Sequence, residues 1–281
     1  MYRGSITDIK GVKVGHAQNL QARTGCTAVL FEGGAVGGVA VRGGAPGTRE
    51  TDVLRPGNLV EVAHAVVLTG GSAFGLSAAD GVMRFLSQAG IGIDMGIARI
   101  PIVPAAVLFD LAVGEPGTTP DAAMGRAAVT AAGKGLQQGV FGAGCGCTVG
   151  KLVQNALPHQ GGIGSASITL PEGITVGAVI AVNAVGDVYD AASGKCIASA
   201  RMSDGNNYYA VAIQSNRLEL RKKVSGSTTT LASKSMTFAT NTWYTIKLQV
   251  SGSTLTAFVN GSQQLTATTT GRSSGVAGLI G

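Results

Sequence analysis

Along the first two hundred residues the apolar positions gather in short β-branched runs. KVGHA, CTAVLF, AHAVVLTGG and ITVGAVIAVN are each bounded by glycine, and such runs predict strands. Between them, Leu76 to Gln88 and Pro120 to Gln138 carry Ala, Leu, Met and Arg at helical spacing. Thr119 is placed to cap the second helix, with Pro120 at its first position and Asp121 in its first turn. The alternation predicts an α/β or layered α+β segment. After residue 201 the period becomes two. NYYAVAIQ, RLELRKKV, TWYTIKLQV and STLTAFVNG, separated by Ser-Gly and Asn-Gly turns, predict an all-β meander.

Composition sharpens this division. The 281 residues are 45% hydrophobic and 13% charged, a globular balance, and the 44 glycines follow no three-residue period, which excludes collagen. Residues 1–201 carry 14 Lys+Arg against 13 Asp+Glu, whereas residues 202–281 carry 7 against 2, so the basic character is local to the tail. Ser and Thr number 20 before the break and 24 after it, and the tail holds the single tryptophan, Trp243. Two domains follow: 1–201 and 202–281.

Several functional classes drop out. Arg217, Arg221, Lys222, Lys223, Lys234 and Lys247 are interleaved with strand alternation, so they read as a solvated sheet face and no nucleic-acid partner is expected. The run Gly142 to Leu152 ends in Gly-Lys but has Cys145 and Leu152 where a phosphate loop needs glycine and a hydroxyl residue, which removes a nucleotide site. Cys26, Cys145, Cys147 and Cys196 show no metal spacing, so neither metal nor cofactor is expected. No apolar run is long enough to span a bilayer and no targeting signal is apparent, so the expectation is a cytoplasmic protein without a membrane partner.

Five long motifs occur in order: RGGAPGTRETDVLRPGNLV, LTGGSAFGLSAADGVMRFL, RIPIVPAAVLFDL, GVFGAGCGCTVGK and GGIGSASITLPEGITVGAVIAVNAVGDV. Through them residues 4–201 resemble the α-portion of the L-aminopeptidase/D-alanine esterase-amidase family, with its β-peptidyl aminopeptidases and nylon-oligomer endohydrolase. The resemblance implies an N-terminal-nucleophile hydrolase with a four-layer αββα sandwich, self-cleavage into two subunits, oligomeric assembly and a small peptide or amide substrate. In such an enzyme a Ser or Thr freed by self-cleavage attacks an amide carbonyl with its own α-amine as base, and a fixed donor holds the oxyanion. Lys151 and Asn183 match a family lysine and asparagine lining the active site, the first as positive charge beside the nucleophile and the second as an amide donor. Phe74 stands where relatives often have tyrosine, on the substrate side. On residue type alone, Lys151 reads as a solvated lysine and Asn183 as a turn former.

The resemblance ends at the nucleophile. Relatives carry it in a strand opening of the type G-N-T-T, with a downstream D-x-D-G-D cluster. This chain has GNNYYAVAI, with Asn206 and Asn207 at that place, and only Asp204 and Glu219 as later acids. Asparagine has no hydroxyl to attack with, so an inactive or weak hydrolase is expected. One alternative is a self-cleaving hydrolase using Ser165, since a Gly164–Ser165 bond can undergo an N-to-O acyl shift. The tail resembles part of a laminin-G or concanavalin-like jelly roll, which implies a second alternative: a glycan-binding module using Tyr208, Tyr209, Trp243 or Tyr244, although aromatics at period two usually pack between sheets. The chain thus reads as a chimera joined near residues 200–207. Strand faces such as ITVGAVIAV and ASITL are expected to lack partners and to promote self-association.

Overall fold

The computed structural model describes residues 4–152, 156–199, 201–202, 208–214, 216–239, 242 and 244–270. Asn206, Asn207 and Trp243 lie outside the described residues. The chain divides into two compact units, Met1–Val153 with Pro158–Ala200, and Gln154–Leu157 with Arg201–Gly281.

The first unit is built on a mixed sheet of β1 (Val12–Asn19), β2 (Thr24–Val36), β3 (Thr48–Arg49), β4 (Val62–Thr69) and β5 (Ala105–Val107), in the order β1-β2-β4-β5-β3. β1 and β2 form a hairpin in unbroken register from Val12↔Phe31 to Asn19↔Thr24, and β2 pairs antiparallel with β4. β4 and β5 are parallel, a pairing that needs a crossover, and helix α1 (Ala78–Gln88) lies in it.

Alternation sends the side chains of these strands to two faces. Cys26, Ala28, Ala65 and Val67 face α1 and α2 (Ala122–Thr130), where Ala78, Val82, Leu86, Ala128 and Val129 complete a core. The two helices meet through glycine. A Cβ on Gly81 would stand 1.8 Å from the Ala122 carbonyl oxygen, and one on Gly125 would stand 1.8 Å from that of Ala78. Any side chain at either position would drive the helices apart. On the opposite face Val12, Val14 and Val29 pack with Ile6, Ile9, Val66 and Val179. Val179 belongs to a second hairpin.

That hairpin pairs β8 (Gly162–Thr169) with β9 (Thr175–Val182), in register from Gly162↔Val182 to Thr169↔Thr175. It follows the short strands β6 (Thr148–Val149) and β7 (His159–Gln160), which pair with each other. One face of the hairpin turns Val179 toward the sheet; the other leaves Val176 and Ile180 53% and 59% exposed.

The second unit holds two antiparallel three-stranded meanders, β10 (Tyr208–Gln214), β11 (Arg217–Val224) and β12 (Ser227–Ser235), then β13 (Ile246–Ser251), β14 (Thr254–Val259) and β15 (Ser262–Thr268). Leu218, Leu220, Leu255, Ala257 and Val259 form its core, with Tyr209, Phe238 and Tyr244 packed against it. Left-handed backbone at Ser225-Gly226 and Asn260-Gly261 closes two of its hairpins, as the primed turns of such dipeptides require.

Three sequence expectations need correction. The second helix is capped by Asp121, whose carboxylate accepts from the Met124 amide at 2.9 Å, not by Thr119. It ends at Thr130 instead of Gln138, because Gly133 and Gly135 follow and the Gly133 amide is drawn into a bridge with Val14. The helix from Leu76 begins two residues later, after a 3-10 turn over Ser72–Ser77.

Candidate functional site

The glycine-rich run GAGCGCTVGK forms a tight 3-10 turn, Gly142–Gly144, followed by β6, and carries Lys151 just beyond that strand. Asn183 follows β9 directly. Backbone bonds lock the two segments together: the Gly150 amide donates to Gly186 O at 2.8 Å and the Lys151 amide to Val185 O at 2.7 Å. The ammonium of Lys151 is thereby brought to Asn183, donating to its side-chain Oδ1 at 2.8 Å, its carbonyl oxygen at 3.0 Å and the Ala184 carbonyl oxygen at 3.4 Å.

These contacts fix the asparagine. Oδ1 also accepts from the Thr148 amide at 2.9 Å, so two donors face one side of the carboxamide and set its flip. Nδ2 points the other way and donates to the Phe109 carbonyl oxygen at 2.9 Å, and its second N–H has no partner among the described residues. The carboxamide of Asn183 is therefore held in one orientation. The three acceptors of the Lys151 ammonium are two oxygens of Asn183 and the Ala184 carbonyl.

Burial governs the ionisation of this cluster. Desolvation pulls Lys151 below the ordinary lysine value, against the opposing pull of Cys147 and Asp110. The Cys147 thiol is pushed up to about 12, chiefly by burial, with Asp110 adding to the effect, and its Sγ rests 3.3 Å from the Ala143 carbonyl oxygen. A thiol held so far from ionisation is no nucleophile at neutral pH. Desolvation likewise raises the thiol of Cys145.

The other predicted residues sit elsewhere. Phe74 is 70% exposed in the 3-10 turn after β4, where left-handed backbone at Gly71 and Ser72 throws the chain outward. Ser165 is in the middle of β8. Its hydroxyl donates to Ala178 O at 2.6 Å and accepts from the Ile6 amide at 2.8 Å, tying the hairpin to the N-terminal turn. The Gly164–Ser165 peptide lies within an unbroken ladder. In the tail, Tyr209 and Tyr244 pack against the core, Tyr244 edge-on to Phe238 with ring centroids 5.1 Å apart, and Tyr208 carries the Lys223 ammonium 5.4 Å from its ring centre. No metal-holding group of three or more His, Cys, Asp or Glu side chains occurs among the described residues. No helix among them is long and apolar enough to cross a membrane.

Sequence reasoning missed Asp110, which is 4% exposed and reaches this cluster from the segment after β5. The motif RIPIVPAAVLFDL was read without drawing on its acid. An acid inside a run as apolar as IPIVPAAVLFDL is itself the signal that was available, since such a residue is buried only with partners.

The fold has counterparts of the N-terminal-nucleophile hydrolase type. The L-aminopeptidase D-Ala-esterase/amidase of Ochrobactrum anthropi, described as a variant of that fold, superposes with a TM-score of 0.51 at 21% identity over 65% of this chain and 54% of its own. A protein from Pyrococcus horikoshii OT3 gives 0.52 at 23% identity over 65% and 56%. The family model for peptidase family S58 matches residues 4–265, and the chain belongs to that family. An uncharacterized aminopeptidase of Mycobacterium tuberculosis is 48% identical over 198 residues, 68% of this chain and 56% of its own. The 6-aminohexanoate-oligomer endohydrolase of a Kocuria species is 34% identical over 188 residues, 66% of this chain and 50% of its own. The chain thus spans about half the length of these curated relatives, and the pairwise matches cover a shorter stretch than the family model does.

Proposed function

We propose that residues 4–201 are the α-portion of an N-terminal-nucleophile aminopeptidase or amidase, and that the chain as it stands lacks the attacking hydroxyl and hydrolyses amides weakly or not at all. The observation that carries this reading is the Lys151–Asn183 network. A carboxamide held by the Thr148 amide and an ammonium, with one N–H unspent, is what an oxyanion donor requires before a substrate arrives. The names of the relatives point to peptide amino termini and amide oligomers as the substrate class.

In the complete reaction, a free N-terminal Ser or Thr would attack the scissile carbonyl and pass its proton to its own α-amine. The unspent N–H of Asn183 would donate to the oxygen as it becomes negative, and the Lys151 charge would favour that oxyanion and the protonless amine. Such a donor contributes about 3–4 kcal/mol of transition-state stabilisation. Asn206 and Asn207 offer no hydroxyl at the place where relatives carry it. The layered sandwich implied by the family is supported by the helix pair, the five-stranded sheet and the β8–β9 hairpin, stacked in that order.

The test is turnover of an aminoacyl p-nitroanilide and of a short amide oligomer. Rates at background are expected. Turnover well above background that survives Ser165→Ala would overturn the claim of inactivity. Intact mass is expected to stay that of the full chain, and a fragment beginning at Ser165 would instead favour self-cleavage there.

A further inference from the structure

Asp110 is the one buried carboxylate of the first unit's core, and no described lysine, arginine or histidine reaches it within ion-pair distance. Both of its oxygens accept. Oδ1 takes the Gly71 amide at 2.6 Å and Oδ2 the Thr24 hydroxyl at 2.8 Å. Two backbones press against Oδ2: a Cβ on Gly70 would come within 2.0 Å of it and one on Gly146 within 2.5 Å. The glycines of LTGG and of GCGC therefore make room for one oxygen atom, and a larger residue at either position would push the carboxylate from its seat.

The neighbouring backbone carries the connection onward. The Leu108 amide donates to Thr69 O at 2.8 Å and the Leu108 carbonyl accepts from the Ser72 amide at 3.0 Å, so this segment braces the turn that displays Phe74. The Phe109 carbonyl accepts the Asn183 amide. One short stretch thus holds both the Phe74 turn and Asn183.

We propose that Asp110 is the positioning residue of the site: through its two hydrogen bonds it seats the turn that leads to Phe74, and through the neighbouring Phe109 carbonyl it sets Asn183, and with it Lys151, in place. This rests on the reading of Lys151 and Asn183 as a hydrolase site.

The experiment needs no turnover. Trace acylation with acetic anhydride across pH, read by peptide mass spectrometry, gives the titration of Lys151 in the full chain and in Asp110→Asn, which keeps the side-chain shape and removes the charge. The amine of Lys151 is expected to acylate about tenfold faster near pH 8 in the variant, as an amine released from its three oxygen acceptors would. A folded Asp110→Asn whose Lys151 titrates as in wild type overturns the proposal while leaving the site reading intact. A wild-type Lys151 that acylates like the surface lysines removes the site reading itself. If Asp110→Asn does not fold, Thr24→Val removes the hydroxyl from Oδ2 alone and is read in the same way: faster acylation of Lys151 is expected, and a wild-type rate overturns the proposal.

Discussion

The five-stranded sheet and the β8–β9 hairpin are made from the same kind of sequence and end in different conditions. β2 and β4 are covered on both faces, one by α1 and α2 and the other by the N-terminal turn and Val179. β9, TVGAVIAV, is as apolar as either strand and as regular in register, yet only alternate residues find neighbours, and Val176 and Ile180 stand open to solvent. Strand pattern therefore dictates the conformation of the hairpin but not its burial. Burial requires a further layer, and the described residues supply one to the sheet and none to the outer face of the hairpin.

That contrast can be tested at its strongest point by truncating one side chain in each region. Leu86→Ala, in the helix core under the sheet, is expected to lose about 2–5 kcal/mol, as buried leucines do. Ile180→Ala should change stability by about 0.5 kcal/mol or less, as exposed positions do. Denaturant unfolding of both variants measures the difference, and equal losses would mean that the hairpin face is covered after all.

A smaller effect should appear in association. Val176→Lys with Ile180→Lys places two charges on the open face, and light scattering should show less self-association at unchanged melting temperature. Undiminished association would put the contact surface elsewhere.

The smallest effect concerns pH. Burial holds His16 on β1 and His64 on β4 below the usual imidazole range. His64 Nδ1 accepts the Ile102 amide at 3.1 Å, a bond that exists only while that nitrogen is unprotonated. In the window below the ordinary value near 6.5 the unfolded chain binds protons that the folded chain does not, so stability falls as the pH drops through it. The melting temperature should decline between pH 7 and pH 5, and less steeply in His64→Gln. The paired strands of the hairpin hold no titratable side chain and should contribute nothing to this slope.

The elements were legible where their signals were local. Gly-bounded β-branched runs named β2, β4 and β9, and dipeptides named the tail's turns. STTTLASKS and SQQLTAT were not read as strands, because serine and threonine mark turns as readily as sheet edges, and only pairing with β11 and β14 decides between them. Thr119 lost the cap to Asp121 because proline leaves two adjacent capping candidates, and tertiary geometry chooses. Lys151 and Asn183 were legible only through the succession of long motifs that resemble the family; as single residues they looked like a surface lysine and a turn. Asp110 was marked only by the apolar run around it, and its meaning lies in Thr24, Gly71 and Gly146, three segments that only the fold brings together.

Asp110 also sets an order in time. Thr24 and Gly71 precede it along the chain and can already be in place when it leaves the ribosome, but Asn183 comes 74 residues after the Phe109 carbonyl that receives it. At about 5–20 residues per second of synthesis, that is an interval of roughly 4–15 s. Throughout it the Phe109 carbonyl waits for the amide it will accept, and the long separation between partners makes closure of this cluster a late event. A slowed ribosome between codons 110 and 183 would prolong the period in which a chaperone meets an open, negatively charged turn.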